Sequence, residues 1–360
     1  MTETRQKPEL RCTREGALGI ITLDRQEALN ALSHEMVVAM SRQLAAWHRD
    51  PQVAAVLVKP APGRAFCAGG DVRTVNEVCR REGIGAATPF FHDEYRLNWR
   101  IKHFGKPYIS LLDGVTMGGG VGISVHGTHR VLTERILFAM PETGIGFFPD
   151  VGGSYFLPRC PGASGTWMAL TGARLHAADC RWAGIGTHFV PSDRLEELEA
   201  RLVAARGVEL PGELEAALAE FGEAPEPAPL AERRALIDRC FAADSAAQAV
   251  AALEAEDDGW AHEQAALIRR KSPLATAVTH AQLRRGAELD FDACMAMEYR
   301  MVHHFLENGE FYEGVRALLI DKDKNPRWAH ARLEDVPEGA IEEVFAALPQ
   351  GDLAFDWQGV

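Results

Sequence analysis

The sequence predicts an α/β core followed by a helical region. In the first half of the chain, short apolar segments alternate with stretches whose apolar residues recur at helical spacing, a pattern typical of strands joined by helices. Beyond about Val190 the chain becomes rich in Ala, Leu, Glu and Arg, with helical periodicity and few strand signals. We therefore expect an α/β core over residues 1–190 and a helical region over residues 191–360 that packs on it.

Apolar runs and turn residues locate the elements of this core. Ser33 precedes a segment whose apolar residues lie three and four positions apart, so it is predicted to cap a helix that begins there. Three consecutive glycines, Gly118 to Gly120, lead into a predicted apolar helix over residues 121–125. The proline-rich segment 223–229 is expected to link two helices of the second region. Strands are predicted at Leu18–Leu23, 53–58, Tyr108–Leu112, 131–133 and Leu137–Ala139.

The composition excludes several classes of protein. A formal net charge of −13 disfavours a nucleic-acid partner and a membrane-surface protein, since both functions need a basic face. The most apolar stretch, residues 108–125, contains Asp113 and five glycines, so it is predicted to be a core segment and not a membrane span. The first residues, Met1 to Lys7, lack the apolar run of a secretory signal.

Cysteine usage points to a reducing compartment. The seven cysteines are scattered, odd in number and form no C-x-x-C pair, which is typical of reduced thiols and predicts no zinc site. Together with a composition rich in Ala and Arg, this favours a cytoplasmic protein of bacterial type. No metal ion is expected.

No motif for a nucleotide or a serine nucleophile is complete. The glycines at 118, 120 and 122 do not reproduce G-x-G-x-x-G, and the chain has no G-x-x-x-x-G-K-[ST] loop. Ser124 and Ser154 each fail the G-x-S-x-G pattern on one side. The histidine pairs at 126 and 129 and at 303 and 304 lack an H-E-x-x-H context, so structural or surface roles are predicted for them.

Two acidic residues stand out, because they lie among apolar and turn-forming neighbours. Glu142 and Asp150 are eight residues apart in a segment rich in Phe, Ile, Pro and Gly, about twenty residues after the triple glycine. Burying a carboxylate costs several kcal/mol unless it has partners. The segment therefore predicts a site in which backbone N–H groups hold an oxyanion and carboxylates do acid–base or nucleophilic work. The alternative is a turn-rich loop with two solvated acids.

Several segments together carry a resemblance to a known superfamily. Residues 64–71, 117–122 and 141–142 resemble the crotonase (enoyl-CoA hydratase/isomerase) superfamily. Within it, residues 90–95, 138–159 and 313–323 are similar to the 3-hydroxyisobutyryl-CoA hydrolase subgroup. The resemblance implies a spiral of ββα units with a helical C-terminal region. It also implies an acyl-CoA thioester as substrate, no metal or redox cofactor, and a possible homo-oligomer.

The resemblance also implies roles for individual residues. The N–H groups of Gly70 and Gly119 are expected to form the oxyanion hole for the thioester oxygen. Glu142 would either attack the thioester carbonyl or activate the attacking water. Asp150 would orient the substrate hydroxyl or the water and manage protons, and its charge would separate the pKa values of the two acids. Glu94 would hold the polar end of the acyl group, or else be an exposed helix acid.

Coenzyme A contacts are implied in the same way. Ala68 matches a position whose backbone contacts the adenine, and Arg64 matches a residue that contacts phosphate. Glu27 stands where hydratases often carry a lysine, and a carboxylate there cannot pair with phosphate. Arg25 or a lysine of the C-terminal region is the expected substitute.

The departures from plain hydratases separate the candidate functions. A hydratase adds water across a double bond with two glutamates, and the position of the first falls at Gly122. Asp150 stands where hydratases usually have glycine. We therefore expect hydrolysis of a short-chain 3-hydroxyacyl-CoA, foremost 3-hydroxyisobutyryl-CoA in valine breakdown. The alternatives are a hydratase or one-base isomerase and, in another class, a catalytically silent acyl-CoA-binding scaffold.

Overall fold

Two sheets form the core of the computed structural model, which describes residues 8–358. The segment Met1 to Lys7, for which no secretory signal is predicted, lies outside these residues. The nine strands within the described range are β1 Leu10–Glu15, β2 Leu18–Leu23, β3 Ala55–Pro60, β4 Ala65–Cys67, β5 Tyr108–Leu112, β6 Val115–Met117, β7 His129–Leu132, β8 Leu137–Ala139 and β9 His188–Phe189.

The chain winds between the two sheets as a spiral. The larger sheet has the strand order β1-β2-β3-β5-β7-β9, and the smaller one has the order β4-β6-β8. Only the β1–β2 pair of these ladders is antiparallel, and every other pair is parallel. From β3 onward, successive strands alternate between the sheets, so each turn of the spiral adds one strand to each. This arrangement confirms the predicted α/β class and spiral of ββα units.

Helices cover the sheets and make up the second half of the chain. A 3-10 turn at Glu142–Ile145 and a π-helical turn at Arg316–Ile320 are the irregular helical segments that bear on function. The α-helices of the described residues are α1 His34–Arg49, α2 Val72–Glu82, α3 Ile84–Lys102, α4 Gly119–Gly122, α5 Gly153–Phe156, α6 Ser164–Thr171, α7 Ala177–Trp182, α8 Leu195–Ala204, α9 Leu210–Phe221, α10 Pro229–Phe241, α11 Ala246–Ala255, α12 Gly259–Ile268, α13 Pro273–Gly286, α14 Phe291–Asn308, α15 Glu310–Val315 and α16 Glu338–Glu343.

Most predicted elements are present, with shifts at their ends. Ser33 caps α1 by accepting a hydrogen bond of 3.2 Å from the Met36 N–H. The strands expected at 53–58 and 131–133 run instead over Ala55–Pro60 and His129–Leu132, where they pair with β2 and β5. The apolar helix expected at 121–125 is the short α4, and the chain continues in turns to residue 127. The expected linker at 223–229 matches the irregular segment 222–228 between α9 and α10.

The large sheet is buried on both faces, which explains its continuous apolar strands. One face packs with α8 and α9, through Leu57 and Ile109 against Leu198 and Leu214. The opposite face belongs to the main core, which also includes Phe305 and other side chains of α13, α14 and α15. The helical region therefore shares one apolar core with the strands. Within residues 8–358, no helix is both long enough and apolar enough to cross a bilayer.

Candidate active site

Two glycine-rich segments meet at one edge of the small sheet. β4 and β6 are parallel neighbours, so the residues that follow them, 68–70 and 118–120, leave the sheet on the same side. The two segments lie so close that a Cβ built on Gly119 would be 3.0 Å from the Gly70 nitrogen. The structure thus brings together the two predicted oxyanion-hole residues.

The backbone at this edge offers free donors. Neither the Gly70 N–H nor the Gly119 N–H donates to a backbone carbonyl within the described residues. Gly119 is the first residue of α4, where N–H groups have no partner inside the helix, and Gly118 before it has a φ of 48°. A left-handed φ of this kind is a conformation that glycine adopts at little cost. Two adjacent unpaired N–H groups can bind an oxyanion.

Three carboxylates face this crevice from different parts of the chain. Glu94 comes from α3, Glu142 from the 3-10 turn after β8, and Asp150 from the irregular segment before α5. All three line a cavity of about 350 Å³, together with Gly70 and Gly119. Their exposed fractions are 2%, 6% and 6%. The alternative interpretations, that Glu94 is an exposed helix acid and that Glu142 and Asp150 are solvated acids, are therefore wrong.

Burial raises the pKa values of all three acids. Desolvation, followed by repulsion from Asp150, raises the pKa values of Glu94 and Glu142 well above their ordinary value. The pKa of Asp150 rises to about 7 through desolvation, while a hydrogen bond of 2.9 Å donated by the Tyr95 hydroxyl opposes that rise. All three acids therefore hold their protons to higher pH than free carboxyl groups do.

Two carboxylate oxygens in the cavity have no internal partner. Glu94 Oε1 and Glu142 Oε2 are buried and accept no hydrogen bond from the described residues. Both side chains reach the glycine crevice, because Glu94 Oε1 lies 2.6 Å from the position of a Cβ on Gly119, and Glu142 Oε1 lies 2.9 Å from that of a Cβ on Gly118. A buried polar atom without a partner is costly, so these oxygens are suited to a ligand that donates to them.

Lys271 is a site residue that the sequence did not reveal. It follows α12 in the helical region, lines the same cavity, and lies beside Gly172, with its Nζ 3.2 Å from the position of a Cβ there. Its positive charge lowers the pKa of Glu142, while burial lowers the pKa of Lys271 itself. No motif marks this lysine, because it lies about 130 residues from Glu142 and only the packing of α12 brings it near.

Gly122 has no room for a side chain. A Cβ there would lie 2.6 Å from the Val151 Cβ and 2.9 Å from Asn98 Nδ2. Cβ atoms in real proteins essentially never come this close to another heavy atom. The space that a second glutamate would need is therefore filled by the residue that follows Asp150.

The remaining wall of the cavity is apolar and combines both halves of the chain. Its aromatic and aliphatic side chains come from α3, from the segment before Asp150, from α15 and from the π-helical turn after it. Leu318 on that turn is 37% exposed, which places it at the mouth of the cavity. The side chains that form this wall are Phe90, Phe91, Phe147, Phe311, Leu318 and Leu319.

The predicted coenzyme contacts are placed as follows. Ala68 lines the cavity, and its N–H donates to the Leu29 carbonyl over 3.0 Å, which leaves its own carbonyl as the group that can contact a ligand. Arg64 is exposed and does not line the cavity. Arg25 forms ion pairs of 2.9 Å with both Glu9 and Asp71. Its charge is compensated inside the protein, which counts against Arg25 as the phosphate-binding substitute.

Comparison with known proteins places the chain in a family. A family model described as enoyl-CoA hydratase/isomerase matches residues 18–345. The chain belongs to this family.

Within residues 8–358, no cluster of three or more His, Cys, Asp or Glu side chains could hold a metal ion.

Curated relatives in the enoyl-CoA hydratase/isomerase family share more than two fifths of the sequence. Mitochondrial 3-hydroxyisobutyryl-CoA hydrolase of Rattus norvegicus is 42% identical over 99% of this chain and 93% of its own length. The Homo sapiens protein of the same name is 41% identical over 96% of this chain and 91% of its own length.

Solved structures of this family match along nearly the whole chain. A carnitinyl-CoA dehydratase from Mycobacterium thermoresistibile superposes with a TM-score of 0.91 at 41% identity, covering 97% of this chain and 99% of its own. An enoyl-CoA hydratase from Rhodobacter sphaeroides gives a TM-score of 0.89 at 37% identity, covering 97% of this chain and 100% of its own.

Replacing Gly119 should block the predicted oxyanion hole. In Gly119→Ala, the new Cβ would meet Glu94 Oε1 at 2.6 Å and the Gly70 nitrogen at 3.0 Å. We expect kcat/KM for thioester hydrolysis to fall by about 10²–10³-fold, the usual effect of losing one oxyanion donor. Gly85→Ala, at a helical position with open space around it, is the control and should retain activity. Wild-type activity in Gly119→Ala would contradict the assigned oxyanion hole.

Removing the Lys271 charge should move the pH profile. The cation lowers the pKa of Glu142, so Lys271→Met should raise that pKa. Both roles predicted for Glu142, attack and activation of water, require an ionised carboxylate, so the acid limb of the kcat/KM profile should shift to higher pH. Arg270→Met removes the neighbouring exposed cation and should leave the limb in place. A profile unchanged in Lys271→Met would show that Lys271 does not act on Glu142.

Glu94 should make the protein less stable as pH rises. The pKa of Glu94 in the folded protein lies above the ordinary value of 4.5. The contribution of Glu94 to the free energy of unfolding is therefore complete below pH 4.5 and is lost as the pH rises through the folded-state pKa. The amide introduced in Glu94→Gln does not titrate. The melting temperature of this variant minus that of the wild-type protein should therefore increase between pH 5 and pH 8. Glu256→Gln is the control, because pairing with Arg239 lowers the pKa of Glu256. A constant difference for Glu94→Gln would disprove the raised pKa.

Proposed function

We propose that the protein hydrolyses a short-chain 3-hydroxyacyl-CoA thioester, foremost 3-hydroxyisobutyryl-CoA, to the free hydroxy acid and CoA. The observation that carries this proposal is the pairing of Glu142 with Asp150 beside the Gly70 and Gly119 N–H groups, while Gly122 leaves no space for a second glutamate. The curated relatives, about 42% identical over nearly the whole chain, bear the name of this hydrolase. Such a reaction belongs to valine breakdown.

The reaction can be followed through this geometry. The thioester carbonyl oxygen binds between the Gly70 and Gly119 N–H groups, each worth about 3 kcal/mol to the developing oxyanion. Glu142 then either attacks the carbonyl carbon, forming a mixed anhydride that water hydrolyses, or takes a proton from a water that attacks directly. In both routes the C–S bond breaks and the CoA thiolate leaves. Asp150, with a pKa of about 7, can exchange protons at neutral pH.

The unpaired oxygens of the cavity favour a hydroxylated acyl group. Glu94 Oε1 is buried and accepts no hydrogen bond from the described residues, so a 3-hydroxyl group that donates to it would satisfy it. Asp150, already held by Tyr95, lies on the same cavity and can orient that hydroxyl. Analogues without the hydroxyl would leave these acceptors desolvated and unpaired, and sites built this way discriminate strongly against them.

Other reactions of the family are the second candidate. The two solved structures are a carnitinyl-CoA dehydratase and an enoyl-CoA hydratase by name, at identities of 41% and 37%, close to those of the curated hydrolases. A two-glutamate hydration is disfavoured, because Val151 occupies the space beside Gly122. A one-base isomerase remains the stronger competitor, since Glu142 alone could shuttle its proton. A silent acyl-CoA-binding scaffold has no need of three buried carboxylates, each of which is costly to desolvate.

The substrate class brings further expectations. CoA enters as part of the substrate, and no resident cofactor is proposed for the reaction. All seven cysteines are free, six of them buried, which supports a reducing compartment. The cytoplasmic location and the homo-oligomer stay predictions. Fractionation of the native host and light scattering of the purified protein test them.

The proposed function is tested by two assays run in parallel. Release of CoA thiol from 3-hydroxyisobutyryl-CoA should be rapid, while crotonyl-CoA should keep its double bond. Glu142→Gln should lower thiol release by about 10²–10⁴-fold, the range for losing a general base, and more if Glu142 is the nucleophile. Hydration or isomerisation without thiol release would overturn the proposal in favour of the second candidate.

Controls for this assay separate chemistry from binding. Isobutyryl-CoA, which lacks the hydroxyl group, tests whether the buried oxygens recognise it, and we expect slower turnover. Glu142→Gln should still bind the thioester, as measured by calorimetry. Wild-type turnover in Glu142→Gln would point to a different catalytic group, whereas binding without turnover in the wild-type protein would support the scaffold.

A further inference from the structure

The segment that carries Asp150 adopts a backbone conformation that needs support. Val151, a β-branched residue, has a φ of 51°, and Gly152 has a φ of 87°. A left-handed conformation is rare and strained for valine, so it persists only where the surroundings impose it. Asp150 precedes this strained pair, and α5 follows it at Gly153. We refer to residues 150–154 as the Asp150 turn.

Side chains from three other parts of the chain bind this turn or the residue before it. Gln282 on α13 donates through Nε2 to the Pro149 carbonyl over 2.7 Å. His126 donates through Nε2 to the Val151 carbonyl over 2.7 Å, and burial lowers the pKa of this histidine to about 3. Tyr95 binds the Asp150 carboxylate itself.

Glu298 binds two backbone N–H groups of the Asp150 turn, beside the Ser154 hydroxyl that accepts a hydrogen bond of 2.8 Å from Gln282 Nε2. Its Oε2 accepts a hydrogen bond of 2.8 Å from the Gly152 N–H, and its Oε1 accepts one of 2.8 Å from the Ser154 N–H. The side chain is fully buried in α14, nearly 150 residues away in sequence. Burial raises the pKa of Glu298 to about 8, while its two backbone donors oppose that rise. Without this side chain the Gly152 and Ser154 N–H groups would have no hydrogen-bond acceptor among the described residues. A buried acid is costly, which makes it an unusual choice for a purely structural contact.

We propose that Glu298 is a positioning residue, which fixes the Asp150 carboxylate in the cavity by holding the Gly152 and Ser154 N–H groups. The inference rests on the hydrolysis proposed above, in which Asp150 acts on the substrate. Glu298 does not line the cavity and so does not touch the acyl group. It acts through the turn: without it, the left-handed Val151 can relax and carry Asp150 away from Tyr95.

The chemistry of the contact requires a carboxylate. Two N–H donors need two acceptor oxygens, and glutamate supplies both on one planar group. A glutamine of the same shape offers one oxygen, and its NH₂ group would face the second N–H donor. Glu298→Gln is therefore a nearly isosteric change that breaks one of the two bonds.

The test combines kinetics with a double-mutant cycle on the full-length protein. Glu298→Gln should lower kcat by about 10- to 100-fold with little change in KM, because a displacement near 1 Å is costly to chemistry. In an Asp150→Asn background the same change should lower kcat by less than about twofold, since Glu298 acts through Asp150. An equal loss in both backgrounds would overturn the proposal.

A matched control separates positioning from general loss of stability. Gln264→Leu removes the partner of the Trp167 indole N–H, a buried hydrogen bond of 2.9 Å between α12 and α6, and should lower the melting temperature while keeping kcat. A kcat loss in Gln264→Leu equal to that in Glu298→Gln would refute a specific role. If Glu298→Gln does not accumulate as folded protein, Glu298→Asp, which keeps the charge and shortens the side chain, replaces it with the same expectations.

A measurement that needs no substrate keeps this inference apart from the proposed function. Amide hydrogen exchange of residues 149–157 should accelerate in Glu298→Gln and stay at the wild-type rate in Gln264→Leu. If the wild-type protein releases no thiol from the substrate, the hydrolysis proposal fails, whereas unchanged exchange in Glu298→Gln would refute the role of Glu298.

Discussion

Desolvation of several carboxylates in one cavity is the constraint on which the site depends. Glu94, Glu142 and Asp150 are each less than a tenth exposed, and each charge disfavours the others. The Tyr95 hydroxyl and the half-buried Lys271 offset part of this cost, and the two glutamates hold protons longer than free carboxyl groups do. The result is a cavity whose acids have pKa values moved upward from the ordinary acidic range, as acid–base chemistry at neutral pH requires.

The helical half of the chain completes a site that the spiral alone would leave open. The strands bring the glycine segments together, but Lys271, Gln282 and Glu298 come from the segments around α12, α13 and α14. Phe311 and the π-helical turn close the apolar wall from the same half. Because both halves share one apolar core, movement in the helices would be transmitted to the Asp150 turn. The two regions act as one structural unit around the cavity.

Local signals in the sequence were sufficient for five of the nine strands in the described range, for the Ser33 cap and for the glycine crevice, since each depends on neighbouring residues. Glu94 lies three and four positions after Phe91 and Phe90, so helical periodicity could have placed it on the buried face of α3. The edge strand β1, largely exposed, lacks the apolar run that marks the buried strands. Lys271 and Glu298 carry no local signal at all. Their roles arise from contacts between residues more than a hundred positions apart, which a single sequence does not display.

The packing of Val151 against Gly122 limits how this protein could change its chemistry over evolutionary time. A glutamate at position 122 cannot be accepted while the strained valine fills the same space, and relaxing the valine displaces Asp150. Each change is harmful without the other, so the two positions are epistatic. A gradual path from this arrangement to a two-glutamate site would pass through intermediates with neither set of catalytic groups in place. Divergence between these two chemistries on one fold therefore requires the turn and the helix to change together.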